Sequence, residues 1–203
     1  MYKGRPHWSP DSLELLPKLN KERYTTLILF LLISCNTTGK SWFVDETYVK
    51  VHGKWCYLYR AIDGDGNLVD SRLSDKRDME AAKRFFKQAV VVVGHAPDQV
   101  TTDGHTSYPR AIRETMNGLV QHRTNKYLNN RLEQDHRAIK QRYYPMHGFG
   151  TFTSAARFCC AFDELRNYFR LRSTMGEPIS LPEQRRVFLQ RLTALKTLMQ
   201  VTA

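Results

Sequence analysis

The run Trp42-Phe-Val-Asp-Glu-Thr-Tyr-Val-Lys-Val51 is dense in aromatic and β-branched residues, which suit a pleated, half-buried surface, and it reads as a strand. His52-Gly53 follow as turn residues. Lys54-Trp-Cys-Tyr-Leu-Tyr-Arg-Ala-Ile62 reads as a second strand, Asp63-Gly-Asp-Gly-Asn67 as a second turn and Leu68-Val-Asp-Ser-Arg-Leu73 as a third strand. Together they predict an antiparallel meander. In the first strand the odd positions Phe43, Thr47, Val49 and Val51 form the more apolar face, so Asp45 is an acid among core-facing neighbours. A carboxylate there is costly unless something compensates it.

Downstream, Asp78 reads as the N-cap of a helix over 79–90 that carries Met79, Ala82, Phe86 and Ala89 on one face. Gln99-Val-Thr-Thr102 is a short strand ending at Asp103-Gly104, followed by a helix over 108–116 and a strand over 119–122. Residues 127–144 read as a long basic helix stopped by Pro145 and Gly148. A further helix over 152–172 places Ala155, Phe158, Phe162, Leu165 and Phe169 on one face, expected to pack on the sheet. Ser180-Leu-Pro-Glu183 is a capping-box start for a terminal helix with Phe188, Leu192, Leu195 and Met199 in register. The expected class is α/β, a mixed sheet of three antiparallel strands followed by alternating helices and strands, with flanking helices. Three regions follow: an atypical N-terminal appendage over 1–40, a core domain over 41–173, and a linker with a helix over 174–203.

Composition narrows the partners. In 203 residues, Lys and Arg number 31 against 20 for Asp and Glu, a formal charge of +11 that suits a polyanion, above all nucleic acid. The apolar run ending at Ile33 has seven unbroken apolar residues, far short of the ~20 that a spanning helix needs, so no membrane partner is expected. It starts late, follows acidic residues and lacks a small-x-small site, which argues against a signal peptide. Cys35, Cys56, Cys159 and Cys160 lack metal-ligand spacing and read as small apolar residues of a reduced intracellular chain. In Asp63-Gly-Asp-Gly66 a calcium loop fails, because its glycine and glutamate fall at the wrong positions.

The order β-β-β-α-β-α-β-α leaves Asp45 in the first strand, Asp103 at the end of the fourth, and Glu133 early in the long basic helix. That placement resembles the ribonuclease H-like fold. Val44-Asp45-Glu46-Thr-Tyr-Val-Lys50, Tyr57-Leu-Tyr-Arg-Ala-Ile-Asp63, Thr102-Asp103-Gly104 and Leu128-Asn-Asn-Arg-Leu-Glu133-Gln-Asp-His136 resemble the catalytic core of DDE transposases, the insertion-sequence six family most closely. The similarity runs from about Ser41 to about Arg172.

The resemblance implies a metal-dependent polynucleotidyl transferase that cleaves DNA and transfers strands of an insertion sequence. Asp45, Asp103 and Glu133 are then its catalytic triad and metal ligands, for two Mg²⁺ or Mn²⁺ ions. Carboxylate oxygens suit such ions, and a pair of them can serve both the attacking and the leaving oxygen of a phosphoryl transfer. Lys140 matches the family's basic residue and shares a helical face with Glu133, with Arg137 between them. With Arg131 and Arg142 these form the expected DNA-binding set. The implied partners are DNA, both element ends and target, and a second copy of the chain in a homodimer; the implied location is the prokaryotic cytoplasm, at the nucleoid.

Each acid also has a plainer reading. Asp45 could pair with Lys50 or Lys54, Asp103 could be a turn or helix-cap aspartate, and Glu133 the i,i+4 partner of Arg137. His122 and His136 flank the expected site and read better as packed or surface histidines, while Trp42, Trp55, Tyr57 and Tyr59 could stack on bases or pack the sheet. The Asp103–Glu133 interval is about five residues shorter than in many relatives, the loss falling near Asn117-Gly118. Residues 1–40 contain neither two paired amphipathic helices nor a basic recognition face, where relatives carry a helix-turn-helix. The alternative expectation is therefore a truncated, incompetent DNA-binding remnant of a transposase.

Overall fold

The computed structural model describes residues 39–116, 118–125, 130–171 and 179–201. The appendage as far as residue 38, Asn117 and the Gly176/Pro178 linker lie outside the described residues, as do the side chains of Arg131 and Met199. Two compact units result, one of the described residues up to Phe162 and one from Asp163 onward.

The first unit is built on β1 (Ser41–Val51), β2 (Lys54–Asp63), β3 (Leu68–Ser74), β4 (Gln99–Thr102) and β5 (Gln121–Thr124), in the sheet order β3-β2-β1-β4-β5. β1, β2 and β3 are antiparallel, whereas β4 pairs parallel to β1 and β5 parallel to β4. Helices α1 (Met79–Val93), α2 (Ser107–Thr115), α3 (Asn130–Tyr143) and α4 (Phe152–Phe169), the last belonging to this unit as far as Phe162, complete the ribonuclease H-like arrangement expected from the order of motifs. The meander turns as its residues require. His52 and Gly53 both take positive φ, the pattern of a two-residue hairpin turn. In the second turn the buried Asp63 carboxylate accepts hydrogen bonds from the backbone N–H groups of Asp65 and Asn67, at 3.0 and 2.8 Å, and from Gly39 at 3.0 Å. This aspartate holds a turn rather than a cation.

Asp78 caps α1 as expected, its carboxylate accepting from Ala81 N–H at 2.8 Å. Ala81, Ala82, Phe85, Phe86 and Ala89 of α1 are buried against Trp42 and Val44 of β1 and Tyr59 and Ala61 of β2, with Tyr108, Ala111 and Ile112 of α2 in the same cluster. Burying each Phe contributes roughly 1.5–3 kcal/mol. On the other face of the sheet, Val49, Val51, Cys56 and Leu58 meet Ile139 and Tyr143 of α3 and Ala155 and Cys159 of α4. β1 is thus covered on both faces, and the even-numbered Trp42 and Val44 are as deeply buried as any odd position. The single apolar face read from its sequence is half of the truth.

Element ends differ from expectation by a few residues, the first helix reaching Val93 and α4 stopping at Phe169, and three differences bear on the packing. β5 begins at Gln121 rather than Leu119, which is 91% exposed. The buried stripe of α4 runs through Ala155 and Cys159 with Phe158 and Phe162 beside them, and Leu165 is exposed. After α3 the chain passes through a short 3₁₀ turn, Tyr144–Met146, and returns to the end of β1: Phe149 N–H donates to Lys50 O at 2.9 Å and His52 N–H to Phe149 O at 2.7 Å. Gly148, at φ +112, makes that approach possible, since a Cβ there would stand 3.0 Å from Lys50 O.

In the second unit, α5 (Leu181–Val201) carries Arg191, whose guanidinium donates to the carbonyls of Tyr168 and Arg170 at 2.5 and 2.8 Å, and Phe188, whose ring packs 5.1 Å from Phe169. Glu183 bonds Arg186 at 2.6 Å, so its carboxylate serves an i,i+3 pair in the first turn of α5 instead of closing a capping box. Among the described residues, no helix is long and apolar enough to cross a membrane.

Candidate active site

Asp45 lies midway along β1, the strand paired on both edges, and Asp103 directly follows β4, its parallel neighbour. Parallel pairing brings the two carboxylates to the same end of the sheet. One carboxylate oxygen each from Asp45, Glu46 and Asp103 lie within 4.8 Å of one another. Gly104 fixes the turn behind Asp103: its φ is +92, and a Cβ there would stand 2.5 Å from Thr124 Cγ2 of β5. A side chain at this position would collide with the neighbouring strand.

Three acids this close repel one another. Burial pushes the Asp45 carboxyl up to about 7, and the negative charges of Glu46 and Asp103 push in the same direction. Arg77, from the loop before α1, answers part of this charge. Its guanidinium pairs with Glu46 Oε1 and lies 3.8 Å from Asp103 Oδ2, while the Tyr108 hydroxyl of α2 donates to Glu46 Oε2. Both oxygens of Glu46 are therefore engaged within the protein. Asp45 and Asp103 keep the freer oxygens: Asp45 accepts from Glu46 N–H at 2.9 Å and Asp103 from His105 N–H at 3.0 Å. A hard divalent cation fits this donor set, which is all oxygen, crowded and short of positive charge.

α3 closes the other side. Leu132, Asp135, His136, Ile139 and Tyr143 are its buried positions, at the i, i+3, i+4, i+7 and i+11 spacing of a single face. Asp135 forms an ion pair at 4.0 Å with Arg60, the residue opposite Asp45 on β2, and both side chains are buried. His136 Nδ1 stands 3.9 Å from Asp45 Oδ2. Burial, then the charges of Arg60 and Lys140, push His136 down to about 3, so it is a neutral ring against Asp45.

Glu133 occupies the first turn of α3 and is exposed, outside the cluster of three acids, but one turn before His136 on the side of the helix that borders Asp45. Lys140, half-buried, follows one turn after His136 on that same side, and Arg137 is exposed between them. Arg142 is directed elsewhere: it donates to Ala138 O at 3.0 Å, and its guanidinium stands 5.2 Å from the Phe162 ring centroid. His122 bonds Thr102 Oγ1 at 2.9 Å, tying β5 to β4 behind Asp103.

The sequence reading passed over Glu46, Arg77 and Tyr108. A signal for Glu46 existed: the even positions Trp42 and Val44 before it are apolar, which marks its face as a second core face.

A family model described as the DDE domain matches residues 39–172. The chain belongs to the DDE transposases of the insertion-sequence six family. Over 105 residues it is 44% identical to the transposase for insertion sequence-like element IS431mec of Staphylococcus aureus strain Mu50, a match covering 50% of this chain and 46% of the relative. The transposase for insertion sequence element IS257 in transposon Tn4003, also of Staphylococcus aureus, matches with the same identity and coverage. The chain spans about half the length of these curated relatives, 46% by the matched stretch. Among solved structures, a chain of the simian T-cell lymphotropic virus intasome, determined in complex with PP2A regulatory subunit B56 gamma, superposes with a TM-score of 0.50 at 10% identity. That superposition covers 73% of this DDE transposase chain and 55% of the other, and it is a likeness of fold.

Proposed function

We propose that this chain carries the catalytic domain of a DNA transposase, which cuts phosphodiesters at element ends and joins the freed 3′ hydroxyls to target DNA. The observation that carries this reading is the meeting of Asp45 and Asp103, far apart in the sequence, in one crowded carboxylate cluster at the sheet's end. Family membership and the +11 charge point to the same substrate.

Asp45 and Asp103 are the residues that would hold divalent metal, Mg²⁺ or Mn²⁺, with Glu133 as third ligand from α3 and two ions as the working complement. Bound there, such ions supply the Lewis acidity that activates an attacking oxygen and stabilises a leaving one. Glu46 acts as a positioning group: held by Arg77 and Tyr108, it fixes the middle of β1 beside Asp45 and keeps Arg77 beside Asp103. His136, neutral and buried, fills the space between α3 and Asp45 without adding a charge. Lys140 and Arg137 present their cations beside Glu133, where a phosphate backbone approaching the acids would pass. Synapsis of two element ends suits a homodimer acting at the prokaryotic nucleoid.

The test incubates purified protein with Mg²⁺ or Mn²⁺ and labelled oligonucleotides carrying an element end. Metal-dependent nicking and strand-transfer products are expected. DNA binding with neither product would favour a catalytically incompetent DNA-binding protein. Lys140→Ala is expected to slow strand transfer and to reduce the slope of log affinity against log salt by about one phosphate's worth, ~0.9, with metal binding intact. Titrations across salt concentrations read the slope. If Arg137→Ala changed it and Lys140→Ala did not, the phosphate contact would belong to Arg137.

A further inference from the structure

The aromatic residues of the β1–β2 ribbon divide into two groups. Trp42 and Tyr59 are fully buried, with Tyr59 stacked on Phe85 of α1 at 5.9 Å. Moving outward along the same face, the cross-strand pairs are Glu46↔Tyr59, Tyr48↔Tyr57 and Lys50↔Trp55. Cover is lost pair by pair: Tyr57 is half-buried, Tyr48 is 43% exposed and Trp55 is 55% exposed.

These outer rings hold one another. Tyr48 lies 5.5 Å from Tyr57 and 6.3 Å from Trp55, edge to face in both cases, and Lys50 Nζ stands 5.9 Å from the Trp55 ring centroid. Their orientations are therefore fixed before anything binds, which lowers the entropic cost of stacking on them. Lys50 and Lys54, both exposed, lie at the outer end, so the apolar surface carries a cationic rim. The inner end meets the acids: Tyr48 is two residues beyond Glu46, about 7 Å along the strand.

Preset rings beside cations, Tyr48 one pair and Trp55 two pairs along the ribbon from Glu46 of the cluster proposed to act on phosphodiesters, match the π-faces and phosphates of unpaired nucleotides. We propose that Tyr48 and Trp55 form a stacking platform for unpaired bases of the DNA end held at the acid site. This rests on the transposase reading given above and adds a binding subsite to it. A protein partner suits the surface less well, because Lys50 and Lys54 interrupt its apolar area.

The experiment uses the full chain, with Tyr48→Ala, Trp55→Ala and Trp55→Phe, and measures anisotropy with labelled DNA of two kinds: a blunt duplex, and the same duplex with a short single-stranded extension. Each alanine variant is expected to lose roughly 5- to 100-fold in affinity for the extended form and to keep its affinity for the duplex. Trp55→Phe should retain most of the binding, and the extended DNA should quench a fluorescence component present in wild type and absent from Trp55→Phe. Melting temperatures should fall by no more than about 2–4 °C, since neither side chain belongs to a buried cluster of the sheet. Equal losses on the two DNAs, or none, would overturn the platform. So would a change of oligomeric state in Trp55→Ala with DNA affinity unchanged, which would make the patch a protein interface. Wild-type protein that bound neither DNA would overturn the transposase reading itself, and the platform with it.

Discussion

Asp103→Asn is expected to reduce strand cleavage by about 10³-fold or more, equivalent to ~4 kcal/mol of lost transition-state stabilisation, while the protein remains folded. The side chain accepts a hydrogen bond from His105 N–H through Oδ1, a contact an amide oxygen retains. Neutralising it also relieves its repulsion with Asp45 and Glu46, so melting without metal should stay level or rise. The contrast with wild type appears on adding metal. Wild-type protein should gain about 2–3 kcal/mol when Mg²⁺ is about a hundredfold above its dissociation constant, and the variant should gain far less. Thermal melts with and without Mg²⁺, alongside a cleavage assay, measure both effects. An unfolded Asp103→Asn protein would give this residue a structural role, and full activity would remove it from the site.

The second large effect concerns stability. Asp135→Ala should destabilise the fold by about 3 kcal/mol, because it removes the Asp135 carboxylate from the buried guanidinium of Arg60. Urea unfolding would measure this. The double variant Arg60→Met with Asp135→Leu should recover most of the loss, since two packed apolar side chains can replace a buried ion pair at little cost. Failure of that recovery would show that Arg60, opposite Asp45 on β2, does more than anchor α3.

Local chemistry made the meander legible. Its strands have β-branched and aromatic composition, and its turns are marked by His52-Gly53 and by Asp63 with its glycines, so both pattern and punctuation agreed. β5 was less legible because Gln121, His122, Arg123 and Thr124 bury almost nothing. It is an edge strand held by backbone pairing to β4, while the apolar Leu119 nearby attracted the reading and lies in solvent. Asp45 and Asp103 were found through the order of motifs. Glu46 is not legible from alternation along one strand, which marks a single core face and fails for a strand sandwiched between two layers of helices. Asp135 and His136 stood at the i+3 and i+4 positions of a face marked by Leu132, Ile139 and Tyr143, but a charged residue on a basic helix looks solvated until its buried partner on another element is known.

The pairing of β1 with both a local and a distant strand also bears on the order in which the molecule assembles. Its contacts with β2 close through a two-residue turn, whereas its contacts with β4 bridge all of β2, β3 and α1. Closure of the short loop is fast and that of the long one slow, so the meander carrying Asp45 and Glu46 is expected to form before Asp103 reaches them. Docking of β4 then carries a third negative charge into the pair. On that order the electrostatic penalty of building this site falls on a late folding step, and a divalent cation held by Asp45 and Asp103 would be expected to slow unfolding more than it hastens folding.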